Sequence, residues 1–290
     1  MRSLKYYILD VFNTKKYSGN QLAVFTEAKG ITGEEMQQIA REINFSETTF
    51  ITGYDIQNKE IDVRIFTPGS EVPFAGHPTL GTASIANKVF FDSKAEQLTL
   101  NLKAGKIPVD IGDEILWMLQ IQPIFDTGYS TTDIASVLNL ETTDIDDKFP
   151  AQVVTTGLPF IIVPLKSLDA LKKAHVDSKL TKAILNKSRV KEIMVFTNEC
   201  YNSGDNIAAR VFVQEMGIPE DAATGSANGC LVAYLLKNNY LNSNTFSISV
   251  AQGYEIGRPS RLYLKGNYFE NNYTIRVGGT VDLVAEGTWY

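Results

Sequence analysis

The second half of this chain repeats the order of structural signals found in the first, and a repeat of that length points to two similar domains. In the first half, KYYILDVF and QLAVF read as two short strands around the turn TKKYSGN. ITGEEMQQIAREIN then carries complete helix signals. Thr32 and Glu35 make a T-x-x-E capping box, and Ile31 and Met36 are placed as a hydrophobic staple. Met36, Ile39, Ala40 and Ile43 form the apolar stripe, and Asn44 ends it. TTFITGY and EIDVRIFTP follow as strands rich in β-branched and aromatic residues, then the Pro/Gly segment PGSEVPFAGHP and the apolar run TLGTASIANKVFF. In the second half PAQVVTTGLPFIIVPL reads as a strand pair and KSLDALKKAHVDSKLTKAILNKS as helical material. EIMVFTN and NIAARVFVQ are strands, and MGIPEDAATGSANG leads into CLVAYLL. The match reaches single residues: Arg64-Ile65-Phe66 with Arg210-Val211-Phe212, Gly76-His77 with Gly225-Ser226, and more loosely Gly19 with Gly157. The offset drifts from 138 to 149 residues, as expected of two copies that gained different loops.

Each copy contains one stretch that is apolar on nearly every side. Lys88 is the one charge between Thr79 and Phe91, and no charge falls from Ala222 through Leu236. A helix without a polar face belongs inside something. Gly81, Ala83, Ser84 and Ala86 would let strands approach the first of these closely. The expected fold is therefore α/β (α+β): two pseudo-symmetric domains, each a mostly antiparallel sheet wrapped around a central helix. LTLNLK and ILWMLQIQ, between about Leu98 and Asp126, read as the end of the first domain and the start of a crossover. The closing VGGTVDLVAEGTWY reads as a hairpin that returns to the first sheet. The domains are expected at 1–122 plus 279–290, and at 123–278.

Composition excludes several classes. With 290 residues, 44% hydrophobic and 21% charged, the chain is an ordinary globular one and not a disordered one. Its net charge is −6, and its basic clusters, such as Lys15-Lys16 and Lys172-Lys173, are short and set among acids. That argues against nucleic acid or an anionic membrane as a partner. Two cysteines are too few for a disulfide framework or a zinc cage, so a reducing cytoplasm fits best. The opening MRSLKYYILDVFN lacks the apolar core of a signal peptide, since Asp10 interrupts it. The runs FIIVPL and CLVAYLL fall short of the roughly 20 residues that span a bilayer. A soluble intracellular protein is expected.

Three segments carry polar residues that packing does not require: NFSETTF, PFAGHPTLG and EDAATGSANG. The last two lie at equivalent points of the repeat, each ahead of its apolar helix. A helix start exposes unpaired N–H groups and the positive end of the helix dipole, and glycines there let a ligand reach the backbone. Two such starts facing one cleft would suit a carboxylate or a developing enolate. Position alone leaves alternatives open. Glu47, in the connection before TTFITG, is either a solvated loop glutamate or a cleft carboxylate. His77 is either a hydrogen-bonded structural histidine or a catalytic one, and Asp221 and Ser226 are either helix caps or site residues. Other chemistries find no support. There is no G-x-G-x-x-G after a strand, no G-K-[ST] and no G-x-S-x-G, and neither His77 nor His175 has metal-ligand spacing with cysteine or acid. Cys230 falls inside the second apolar helix as a small hydrophobe, and Cys200 sits in a loop.

Taken in order, SETTF (46–50), FTPGSEVPFAGHPTLGTA (66–83) and EDAATGSANG (220–229) resemble the three signature blocks of the PhzF family, the phenazine-biosynthesis isomerase group. GNQLAV near the start and EGTWY at the end also match, and the resemblance spans essentially the whole chain. One departure is Ala222, where the family usually has proline. The resemblance implies the diaminopimelate epimerase-like fold, with the site between two pseudo-symmetric domains. The epimerases and proline racemases of that fold carry a cysteine at each helix start, where this chain has His77 and Ser226. The family enzyme isomerises trans-2,3-dihydro-3-hydroxyanthranilate as a homodimer without metal or organic cofactor. Its glutamate shuttles the proton while a histidine, an aspartate and a serine assist. Carried over, these are Glu47, His77, Asp221 and Ser226. Ser46, Gly76, Gly225 and Asn20 complete the set as candidate substrate-binding residues.

The physics suits that assignment. Moving a proton between two carbons needs one group that takes it and returns it elsewhere, which a carboxylate can do as base and then acid. The expected function is a cofactor-independent isomerase of a small carboxylated, cyclic or unsaturated metabolite. Two rivals stand beside it: an epimerase or racemase of a small acid, and a non-catalytic ligand-binding protein on the same fold.

Overall fold

The computed structural model describes residues 3–184, 190, 192–213 and 218–290. The chain divides into two compact units, 1–119 with 278–290, and 120–277.

The first unit opens with strands β1 (Leu4–Val11) and β2 (Asn20–Phe25), which pair antiparallel from Tyr6↔Phe25 to Val11↔Asn20. Helix α1 (Gly33–Ile43) follows. Thr32 caps it by accepting the Glu35 N–H at 3.1 Å, and Asn44 ends it in the left-handed conformation, φ 56°. Its apolar stripe buries Met36, Ile39 and Ala40 beside Ile31, Phe25 and Phe50. Each large side chain so buried contributes about 1.5–3 kcal/mol. β3 (Glu47–Asp55) returns parallel to β2, and β4 (Glu60–Phe66) and the short β5 (Glu71–Val72) continue antiparallel. Helix α2 (Gly76–Phe90) is the apolar run, buried at every position from Gly76 to Ala83. Gly81 lets β1 and β2 pack closely there, because a Cβ would stand 2.5 Å from Leu22 Cδ2 and 3.0 Å from Val11 Cγ2 and would push those side chains aside. β6 (Gln97–Leu102) lies parallel to β4, and β7 (Gly105–Ile111) and β8 (Leu116–Leu119) complete an antiparallel meander.

The second unit repeats this connectivity. After β9 (Ile124–Tyr129) and α3 (Thr131–Leu138), β10 (Ala151–Thr155) and β11 (Pro159–Pro164) pair antiparallel. Helices α4 (Leu168–Lys173) and α5 (Ser178–Ile184) lead to β12 (Ile193–Thr197), parallel to β11. β13 (Ile207–Val213) and β14 (Ile218–Asp221) follow antiparallel, then the buried helix α6 (Gly225–Lys237). β15 (Thr245–Gln252) is parallel to β13 and antiparallel to β16 (Ser260–Phe269). β17 (Asn272–Gly279) leads to β18 (Val281–Trp289), which pairs antiparallel with β1 in the first unit's sheet. Each unit is thus a mostly antiparallel sheet around one buried helix.

The repeat also holds at the arginines. Arg64 grips Glu71 with two bonds of 2.8 and 3.0 Å, and Arg210 grips Glu220 with bonds of 3.0 and 2.7 Å. Each guanidinium also lies over the phenylalanine two residues on, 5.1 Å above Phe66 and 4.9 Å above Phe212.

Two expectations are corrected. The closing segment is not a hairpin: Val281–Trp289 is one strand, because β1 offers it a full-length partner. Glu47 is not in a loop but opens β3, where parallel pairing sets it opposite Leu22. The helical material expected after Pro164 is present as two short helices, broken around Ala174, whose extended ψ of 130° ends α4. Residues 185–188 of that stretch, and Met216-Gly217 of the second glycine loop, lie outside the described residues. Among the described residues no helix is long and apolar enough to cross a membrane.

Candidate active site

In the first unit three elements converge on His77. Gly19, at φ 78°, turns the chain into β2 where a Cβ would collide with the Val11 carbonyl oxygen, so Asn20 opens the strand facing inward. Ser46 and Glu47 enter β3 beside it. His77 is the second residue of α2, whose preceding residue, Ala75, provides no side-chain cap. The Ser46 hydroxyl donates to Asn20 Oδ1 at 3.1 Å, and Asn20 Nδ2 lies 3.2 Å from His77 Nδ1. With Oδ1 turned to Ser46, Asn20 presents Nδ2 to the ring, and the tautomer that matches this contact has Nδ1 as acceptor and the proton on Nε2. Nε2 stands 3.5 Å from Glu47 Oε2 and makes no aligned hydrogen bond, although it is buried.

Burial lowers the His77 pKa to about 3, with the Gln21 carbonyl partly opposing the shift by favouring the charged ring. The imidazole is therefore neutral at neutral pH, and its approach to Glu47 is not an ion pair. It is a polarised N–H beside a carboxylate. The amides of Gly76 and His77 add two donors with no acceptor inside the helix, and Pro78, which has no N–H, occupies the third position without loss.

In the second unit Asp221 ends β14, Thr224 is the residue before α6, and Ser226 is the second residue of that helix, equivalent to His77. The Thr224 hydroxyl donates to Asp221 Oδ2 at 2.6 Å and so does not cap the helix. Gln252, fully buried at the end of β15, ties this turn together. Its Nε2 donates to the Asp221 carbonyl at 2.9 Å and to Thr224 Oγ1 at 3.1 Å. Its Oε1 accepts from Thr224 N at 3.3 Å and from Asn228 Nδ2 at 3.0 Å. Asn228 also folds back on the Thr224 carbonyl at 3.0 Å, as Thr79 folds back on Ala75 at 2.7 Å in α2.

The structure thus gathers Asn20, Ser46, Glu47, Gly76 and His77 in the first unit, and Asp221, Gly225 and Ser226 in the second. Asn20 bonds Ser46 and contacts His77 and is nearly inaccessible, which makes it a partner of the histidine. Thr224, Asn228 and Gln252 escaped the sequence reading. The first two lie inside the EDAATGSANG block, but Gln252 sits at the end of an ordinary strand pattern and carries no local signal. Cys230 is buried in α6 with its thiol pushed up to about 12 by desolvation, and burial also raises the Cys200 thiol. Neither stands at a helix start. Among the described residues no three His, Cys, Asp or Glu side chains group as a metal-binding set.

Comparison with known proteins gives this geometry its context. Residues 9–287 match the PhzC-PhzF family, described as phenazine biosynthesis-like protein. This chain belongs to the PhzF family. The trans-2,3-dihydro-3-hydroxyanthranilate isomerase of Pseudomonas aeruginosa is 32% identical to this PhzF-family chain over 294 residues, covering 99% of each. The crystal structure of a PhzF-family phenazine biosynthesis protein from Bacillus anthracis superposes with a TM-score of 0.91 at 28% identity, covering 100% of both chains. A probable proline racemase from Agrobacterium radiobacter shares the fold, with a TM-score of 0.62 at 10% identity, over 98% of this chain and 92% of the other. This PhzF-family chain thus shares its fold with that racemase, and it has histidine and serine as the second residues of its two buried helices.

Proposed function

We propose that this protein is a cofactor-independent isomerase that shifts a proton on a small, cyclic, unsaturated carboxylate, with Glu47 as the acid–base shuttle. The observation that carries the reading is the neutral His77 whose buried Nε2 stands 3.5 Å from the Glu47 carboxylate at a helix start. Glu47 removes a proton from one carbon of the substrate and returns it to another. The electron pair left behind spreads through the unsaturated system onto the substrate's carboxylate. His77 Nε2–H and the first-turn amides of α2 stabilise that charge without gaining or losing a proton. A neutral imidazole suits this task, because a charged one beside Glu47 would hold the carboxylate as an ion pair and weaken it as a base. Asp221 is assigned to a substrate amino or hydroxyl group, and Ser226 with the amides of α6 to an anionic oxygen. A two-thiol racemisation lacks its reagents, since Cys230 is interior to α6 and held protonated. The family resemblance also supports a cytoplasmic homodimer as the working form.

The test uses the substrate of the Pseudomonas relative, trans-2,3-dihydro-3-hydroxyanthranilate, as probe in deuterated water. The native enzyme should place deuterium on carbon during turnover. Glu47→Gln, which keeps shape but cannot accept and return a proton, should lower turnover by roughly 10² to 10⁴-fold and abolish label incorporation. Near-normal turnover and exchange in this variant would overturn the role of Glu47.

A further inference from the structure

We propose that Gln252 is a positioning residue that, through the Thr224 hydroxyl, holds Asp221 in a single orientation as a hydrogen-bond acceptor for substrate; this rests on the reading of Asp221 as a substrate-binding carboxylate. The direction of every bond in the turn follows from donor counting. Gln252 faces two obligate donors, Thr224 N and Asn228 Nδ2, and one obligate acceptor, the Asp221 carbonyl. Its amide can meet all three in one orientation, with Oε1 toward the donors and Nε2 toward the carbonyl. Nε2 then also donates to Thr224 Oγ1 at 3.1 Å. With that lone pair filled, the threonine's own proton goes to Asp221 Oδ2, 2.6 Å away, the short distance of a bond to a charged acceptor. The relay runs one way, from Gln252 to Thr224 to Asp221.

The first unit shows that the fold has no need of this polar turn. Asp221 pairs with Val211 on β13, and its counterpart Val72 pairs with Ile65 on β4. Thr224 precedes α6 as Ala75 precedes α2. Gln252 lies one residue beyond the Ala208–Ala251 pair, as Leu102 lies one residue beyond the Asp62–Asn101 pair. Where the second unit carries Asp, Thr and Gln, the first carries Val, Ala and Leu in the same backbone frame. The first unit fills that frame with apolar residues, so three linked polar groups buried there answer to something other than packing.

The primary measurement needs no substrate. In proton NMR of the native protein the Thr224 hydroxyl should appear as a slowly exchanging, downfield resonance, as expected of a buried donor to a carboxylate. Gln252→Leu, which borrows the residue of the first unit, should release the hydroxyl and speed its exchange in a protein that is still folded. Unchanged exchange in that variant would refute the relay. Kinetics with trans-2,3-dihydro-3-hydroxyanthranilate then read the consequence. Thr224→Val should raise KM on the order of tenfold with little change in kcat, as loss of one hydrogen bond to a charged group implies. Thr224→Ser, which keeps the hydroxyl, should restore the native value. If Asp221→Asn weakens binding while Thr224→Val and Gln252→Leu do not, positioning fails and the reading of Asp221 survives. If Asp221→Asn itself leaves KM and kcat unchanged, the reading of Asp221 fails, whatever the hydroxyl does.

Discussion

Burying a neutral histidine makes the first unit sensitive to acid in a way that can be calculated. His77 has a pKa near 3 in the folded protein and 6.5 when exposed, and desolvation is the main cause. The folded state therefore binds fewer protons than the unfolded state between these values. Its contribution to stability is fully present above about pH 6.5 and is lost as pH falls toward 3. Each pH unit inside that window removes about 1.4 kcal/mol, so lowering the pH from about 7 to about 5 removes about 2 kcal/mol. Carboxylates also titrate on that path, and His77→Gln separates the two contributions. Glutamine fills similar space and can accept from Asn20 but does not titrate. Both tryptophans, Trp117 and Trp289, lie in the unit that holds His77, so their fluorescence during urea unfolding reports the relevant transition. The native protein should lose about 2 kcal/mol more than His77→Gln between the two pH values. Parallel losses in the two proteins would show that His77 is charged, or open to water, in the folded state.

Two further outcomes are expected. Asn20→Asp replaces the donor facing His77 Nδ1 with an acceptor, so the ring proton should move from Nε2 to Nδ1, visible in nitrogen-15 NMR of the imidazole; an unchanged tautomer would remove Asn20 as the partner that orients the ring. Arg210→Met should destabilise the second unit by roughly 3–5 kcal/mol, because it leaves buried Glu220 and the carbonyls of Leu171, Lys172 and Ala174 without their shared donor; circular dichroism during urea unfolding should record this, and Arg210→Met with Glu220→Met should recover much of it.

Much of the architecture was legible without coordinates. The repeated order of strands and helices, the two helices with no polar face and the paired Arg-x-Phe motifs defined the pseudo-symmetric α/β plan, because periodicity and uniform apolarity are local properties of the chain. The capped helix from Gly33 to Ile43 was readable for the same reason: its cap, staple and stop lie within a dozen residues of one another. Not every strand was legible. β9 is exposed or half-exposed throughout, and its partner β10 lies some 20 residues on, so nothing in its own composition marks it.

The candidate site divides along the same line. His77 and Ser226 stood out at equivalent helix starts of the repeat, Glu47 and Asp221 in polar segments that packing does not require, and the family resemblance implied their roles. Their chemical states did not. That His77 is neutral follows from complete burial, and which ring nitrogen carries its proton depends on Asn20, 57 residues earlier. That Asp221 is held by a hydroxyl rather than left to cap a helix follows from Gln252, 31 residues later on another strand. Residue types and helix starts are written along the chain. Protonation, tautomer and hydrogen-bond direction depend on which distant groups the fold brings within about 3 Å, and only the tertiary structure decides that.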